Sequence, residues 1–217
     1  MDKKDWKSTW KGRIAKHICK TYSDTDTVAK HFFNLTIDEL LWHATTIIKV
    51  EERLINIKYI GQRYWSKEAI EHYCKLNSIL SGKCKGSKGL RHEHAVPRKM
   101  IRNKIEKILE DKKSNEQEKI KKVYDVIATY SKSVIITKEE DRLIPNKDKF
   151  TKWTKITDNF AKVFKEEDFI NFIKKERYKS NIQIIDLCNH LDKNDSIVPY
   201  DKKFKDIMHK IKTKNNE

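Results

Sequence analysis

Breakers are scarce in this chain: five glycines and three prolines stand among 217 residues, so little prevents long helices over most of its length. Cysteine is also sparse. The four, Cys19, Cys74, Cys84 and Cys188, form no C-x-x-C pair, which argues against a disulfide framework and fits a reducing cytoplasm. Cys74 and Cys84 could join His72 around zinc, yet the spacing matches no common finger or ribbon, and buried, inert thiols are the better reading. No run comes near the roughly 18 apolar residues that a membrane span needs. The opening residues, MDKKDWKSTW, hold no apolar stretch that could act as a secretion signal. The expectation is a cytoplasmic protein without a membrane partner.

Positive charge and aromatic rings are what the chain has in quantity. Lys and Arg number 48 against 32 Asp and Glu, a net charge of +16 that draws phosphate chains and releases their counterions on binding. DNA is the partner this favours, with RNA meeting the same test; lysines serving only solubility, or an anionic membrane surface, are the competing readings. Five Trp, eight Tyr and eight Phe, in a chain 37% apolar, supply enough packing area for one substantial core or two modest ones. The expected class is mainly α, within α+β.

Apolar spacing predicts helices over residues 28–54, with a break near Asn34 to Thr36, over 66–80 and over 98–111. A capping box at Ser114-Asn115-Glu116-Gln117 opens another that runs to Tyr130, and helices recur beyond Asn146, including 182–191. Two short segments read as strands: 90–96, stopped by Pro97, and the β-branched Ser133-Val134-Ile135-Ile136-Thr137. Directly after the second, Thr137-Lys138-Glu139-Glu140 fits a capping box with Glu140 as its N3 member, starting a short helix that Pro145 limits. Three of the five glycines fall in Ser81 to Gly89 with Lys83, Lys85 and Lys88, a basic loop suited to phosphate. Tyr64-Trp65 beside Arg63 could stack on a base, although an apolar staple ahead of a helix is the simpler reading.

Chemistry concentrates in Arg91-His92-Glu93-His94-Ala95-Val96-Pro97, two imidazoles and a carboxylate within three positions. Hydrolysis of a phosphodiester needs a base for the attacking water and a cation for the charge on phosphate and leaving oxygen. An imidazole beside a metal-binding carboxylate supplies both. In an extended strand His92 and His94 share one face and Glu93 takes the other, unless the strand ends there and lets Glu93 and His94 converge. Ordinary structural histidines are the alternative, and the better one for His43, His72, His190 and His209 in their helical contexts.

Glu93-His94-Ala95-Val96-Pro97 resembles the acidic-His-x-(Ile/Val)-Pro opening of the HNH, or ββα-metal, endonucleases, and Ser133 to Leu143 resembles the second strand and helix of that family. The resemblance implies a metal-dependent endonuclease acting on DNA, of the kind used in restriction or phage defence. It implies Glu93 and Asp141 as ligands of Mg2+ or Mn2+, with Glu140 the alternative ligand if the register shifts by one, and His94, assisted by His92, as the catalytic base. Arg91, Arg98 and Lys138 would join the loop lysines against phosphate, and a homodimer would suit a cutter of both strands. The long helical interval between the strands then has to be an insertion, about 98–131, within a core of 83–145 flanked by helical lobes over 1–82 and 146–217. The alternative is a non-catalytic, basic, helical nucleic-acid binder.

Overall fold

The computed structural model describes residues 6–23, 27–50, 53–56, 59, 62–79, 89–144, 171, 178 and 182–187. In chain order they form a short 3-10 turn (Trp6–Ser8), α1 (Trp10–Ser23), α2 (Thr27–Thr46), β1 (Ile47–Val50), β2 (Arg53–Asn56), β3 (Tyr64–Ser66), α3 (Lys67–Ile79), β4 (Leu90–His94), α4 (Arg98–Glu110), α5 (Glu116–Tyr130), β5 (Ser133–Thr137), α6 (Lys138–Leu143) and β6 (Ile184–Asp186). The fold is α+β, mostly helical with one small four-stranded mixed sheet. Two compact units are present, Met1–Asn56 with Val96–Lys132, and Ile57–Ala95 with Ser133–Glu217. No helix among the described residues is long and apolar enough to cross a membrane.

The first unit is built from α1, α2, α4 and α5, each turning a stripe of apolar residues inward. Ile14, Ala15, Ile18 and Cys19 of α1 are buried, as are Phe33, Ile37, Leu41 and Ala44 of α2, Ile101, Ile105 and Leu109 of α4, and Ile120, Val123, Ile127 and Tyr130 of α5. These recur three or four positions apart, the period that keeps one helix face toward a core. α1 runs antiparallel to α5: Lys11 donates from Nζ to the Ser131 carbonyl at 3.4 Å, and farther along α1 Cys19 lies beside Glu116 and Lys119. Asp38 ties α2 to α4, accepting from Arg98 at its carbonyl (2.9 Å) and from Arg102 at Oδ2 (2.9 Å). The Arg98 guanidinium also lies 5.6 Å from the Trp42 ring. Gly12 admits the 3-10 turn, since a Cβ there would stand 2.1 Å from the Trp6 carbonyl oxygen.

Three expectations fail in this unit. α2 runs unbroken through Asn34 to Thr36, because Phe33, Ile37 and Leu41 keep one buried stripe across the supposed break. The segment 47–56, read as the end of that helix, is a hairpin with Ile47 opposite Asn56 and Val50 opposite Arg53; its Ile-Ile-Lys-Val strand is β-branched. The capping box of α5 also lies one residue later than expected. Asn115 caps and Glu118 closes the box, while the Ser114 hydroxyl donates to Asp111 instead.

The second unit holds the sheet, in the order β4-β5-β3-β6, with β5 antiparallel to β4 and parallel to β3, and β6 antiparallel to β3. β5 is buried at every residue, as a strand with a neighbour on each side and packing on both faces must be. Trp65, Ala69, Ile70, Tyr73, Cys74, Leu90, Ile135 and Leu187 form one core cluster. Trp65 donates from Nε1 to the Gln62 carbonyl at 2.9 Å, and Ser133 donates from Oγ to Gln62 Oε1 at 2.6 Å. Beside them Arg63 grips Asp186 with two bonds of 2.8 and 2.7 Å.

Two readings are corrected here. Tyr64 and Trp65 are 2% and 0% exposed within β3, so neither offers a face to a base. Residues 184–186, expected in a helix, are a strand, since pairing along the edge of β3 overrides a local apolar spacing that suits either structure. The remaining helices expected beyond Asn146 lie outside the described residues, as do Cys84, Cys188, His190 and His209.

Cys19 yields a test of the first unit's core. Burial, aided by the Glu116 carboxylate and opposed by Lys119, pushes its thiol from 9.0 up to about 11. Its contribution is therefore complete below pH 9 and lost as pH rises toward 11, because the unfolded thiol ionises first. Urea unfolding at pH 8 and pH 11 should show the wild type losing about 1–3 kcal/mol more than Cys19→Ala over that interval. Equal losses would mean that the thiol is not held neutral by the fold.

Candidate active site

Strand β4 begins at a glycine for a steric reason. Gly89 has φ +95, and a Cβ on it would meet His72 Nε2 at 2.6 Å, so His72 of α3 packs against bare backbone where the strand opens. From there Leu90, His92 and His94 point to one face and Arg91 and Glu93 to the other. Leu90 is buried in the core cluster, and the His92 and His94 rings meet edge to face with centroids 5.3 Å apart, as alternation along a strand requires. β4 ends the sheet order among the described strands, and it pairs along its length with β5, His92 opposite Ile135, Glu93 opposite Val134 and His94 opposite Ser133.

β5 passes into α6 with no intervening residue. Thr137 is the N-cap: its Oγ1 accepts from the Glu140 amide at 3.1 Å, and the Glu140 carboxylate reaches back to the Thr137 amide at 2.8 Å, the capping box expected from the sequence. The same carboxylate oxygen accepts from Thr137 Oγ1 at 3.1 Å and from Ser66 Oγ at 2.6 Å. Ser66 Oγ in turn accepts from the Ala69 amide at 3.0 Å, capping α3. Glu140, 6% exposed, is thus held by both helix starts. A second tie runs from the Lys138 amide to the Gly89 carbonyl at 2.8 Å, fixing the first residue of α6 to the start of β4.

One turn into α6, Asp141 lies against β4, its Oδ2 4.0 Å from Arg91 Nε. Arg91 shares its strand face with Glu93, so the two carboxylates read as metal ligands address the same side of β4, while His94 stands with His92 on the other. Among the described residues no group of three or more His, Cys, Asp or Glu is gathered as a metal site. A tetrahedral zinc centre would need such a group; Mg2+ keeps several of its waters and is commonly held by one or two carboxylates together with substrate phosphate. Glu93 and Asp141 match that smaller donor set by type and side. Glu140 differs from them in that its Oε2 is already taken up by the capping box and Ser66.

The other expected phosphate contacts are dispersed. Arg91 is half exposed beside Asp141, and Lys138 is half-buried as the first residue of α6. Arg98 belongs to the first unit and is engaged there by Asp38 and Trp42. Lys83, Lys85 and Lys88 lie outside the described residues. Sequence reading passed over an open cavity of about 600 Å3 between α3 and α6, lined by Glu68, Glu71, His72 and Lys75 with Glu139 and Leu143. Its signal was present: positions 68, 71, 72 and 75 fall on one helical stripe, opposite the buried Ala69, Ile70, Tyr73 and Cys74. Comparison with protein-family models, with curated proteins and with solved structures finds no match to this chain.

The role of Glu140 can be tested directly. Glu140→Ala leaves the Ser66 hydroxyl and Thr137 amide buried without their acceptor and should cost about 1–3 kcal/mol in urea unfolding, with Glu140→Gln retaining most of the stability. Adding Mg2+ should leave the difference unchanged. A loss seen only with Mg2+ present would return this residue to the metal ligands.

Proposed function

We propose that the chain is a metal-dependent nuclease of the ββα-metal kind acting on DNA. The observation that carries the reading is the arrangement of β4, β5 and α6: an antiparallel strand pair, then at once a helix packed on both strands, with Asp141 brought against the strand that holds Glu93 and His94. These pieces come from segments nearly forty residues apart in sequence, and their meeting is not dictated by local propensity. The net charge of +16 supports the polyanionic substrate.

In this reading Glu93 and Asp141 would hold a divalent cation, which supplies neutralisation of charge on the phosphate when bound. His94, at the end of β4, takes the proton of the attacking water, for which its imidazole must be neutral. His92 sets the His94 ring by edge-to-face packing from two residues earlier on the same face. β4 has a single strand neighbour among those described, so His94 stands at the end of an edge strand. Arg91, half exposed beside Asp141, would be the residue to steady the phosphate.

One observation favours a second reading, in which the protein binds nucleic acid without cutting it. Arg91 already engages Asp141, and His94 lies on the face away from both carboxylates. Supercoiled plasmid incubated with Mg2+ or Mn2+ separates the two. Cleavage should appear with the wild type, vanish with EDTA, and fall by about 100-fold or more in His94→Ala, in keeping with the loss of a general base. Glu93→Ala and Asp141→Ala should fall comparably, and His92→Ala by less. DNA binding with no nicking in either metal would leave only the binder.

A further inference from the structure

α1 is the one described α-helix that contains no acidic residue. Its buried stripe, Ile14, Ala15, Ile18 and Cys19, is fully used against the core of the first unit. What remains outward is Arg13, Lys16, His17 and Lys20, all exposed and spaced three and four apart, so that they share one face. Neither Arg13 nor Lys16 takes part in any ion pair among the described residues. Glu116 of α5 lies close to Cys19, and Lys119 beside it offsets its charge.

We propose that this face of α1 is a phosphate-backbone docking surface for nucleic acid, separate from the β4–β5–α6 centre. At a rise of about 1.5 Å per residue, the row from Arg13 to Lys20 is about 10 Å long. Along one strand of a duplex, with a charge every ~3.4 Å, that length faces about three phosphates, equal to the number of fixed cations in the row. A bilayer is the poorer partner, because a helix that lies in a membrane interface inserts its apolar face, and here that face is packed inside the protein. Contacts of this kind read no sequence; they hold the duplex while another element acts on it. The surface shares with the proposed nuclease only its target, and it would serve a non-cutting binder equally.

The test is the salt dependence of binding to a short DNA duplex in EDTA, where cleavage plays no part. The variant Arg13→Gln/Lys16→Gln/Lys20→Gln should give a log–log salt slope shallower than wild type by about 2 to 3, since each phosphate contact contributes about 0.9. Its circular dichroism should be unchanged. Removing three exposed lysines elsewhere in the same unit, Lys99→Gln/Lys107→Gln/Lys112→Gln, should alter the slope far less, and Lys16→Arg/Lys20→Arg should keep the wild-type value. Equal slopes for wild type and the α1 variant overturn the proposal, as do equal reductions in the α1 and control variants, which would report net charge alone. Absence of duplex binding by the wild type overturns it too; if vesicles containing phosphatidylserine then bind wild type and release the α1 variant, the face belongs to membranes. Plasmid cleavage is read separately, so failure of the nuclease reading leaves this result interpretable.

Discussion

A buried carboxylate has to find donors or give up its charge, and in the second unit Glu140 finds three on one oxygen: the Thr137 amide, the Thr137 hydroxyl and the Ser66 hydroxyl. Because Ser66 caps α3 and Thr137 caps α6, that oxygen fixes the starts of both helices against the ends of β3 and β5. The tie between Lys138 and Gly89 then sets where α6 begins relative to β4. With its first turn held twice, α6 sets Asp141 beside Arg91. The placement of the candidate metal ligand is thus a consequence of a neighbouring carboxylate whose own role is structural.

What could be read in advance followed from how local its cause was. Thr137-Lys138-Glu139-Glu140 carries its capping box within four residues, and Ser133 to Thr137 carries its β preference in four branched side chains, so both were legible. β3 and β6 were not, being three residues each and stabilised by partners 70 or more positions away. α1 was missed because Gly12 weakens the helical signal near its start; its stability comes from Ile14, Ile18 and their burial against α5. Of the candidate site, the strand positions of His92, Glu93 and His94 were legible from alternation. The Arg91–Asp141 pair was not, because nothing in a sequence tells which of two facing charges a carboxylate will meet first.

That pair also bears on chemistry. A half-exposed ion pair at 4.0 Å in water is worth little, so it is easily exchanged when a stronger partner arrives. A divalent cation or a substrate phosphate is such a partner, competing for Asp141 and for Arg91 respectively. Glu140, by contrast, has no comparable exchange open to it: leaving its donors would strand three buried polar groups. The difference in burial between adjacent carboxylates leaves Asp141 able to exchange partners and ties Glu140 into the architecture.

The separation of β4 from β5 in sequence looks costly for a pair of five-residue strands, yet the helices between them reduce the cost. His94 pairs with Ser133, so the chain that leaves β4 at Ala95 must return to the same rung of the sheet. α4 runs out for 13 residues and α5 returns for 15, about 20 and 22 Å at the usual rise, nearly equal lengths. Antiparallel packing holds the two together: Lys119 donates to the Leu109 carbonyl at 2.7 Å near the turn, and Lys104 lies 5.6 Å from the Tyr130 ring toward the open end. A folded out-and-back interval has its ends on one side, and even a flexible loop would add only logarithmically with its length. An interval that no compact strand–strand connection would need is therefore compatible with a tight strand pair, because its two helices bury their apolar stripes in the first unit's core.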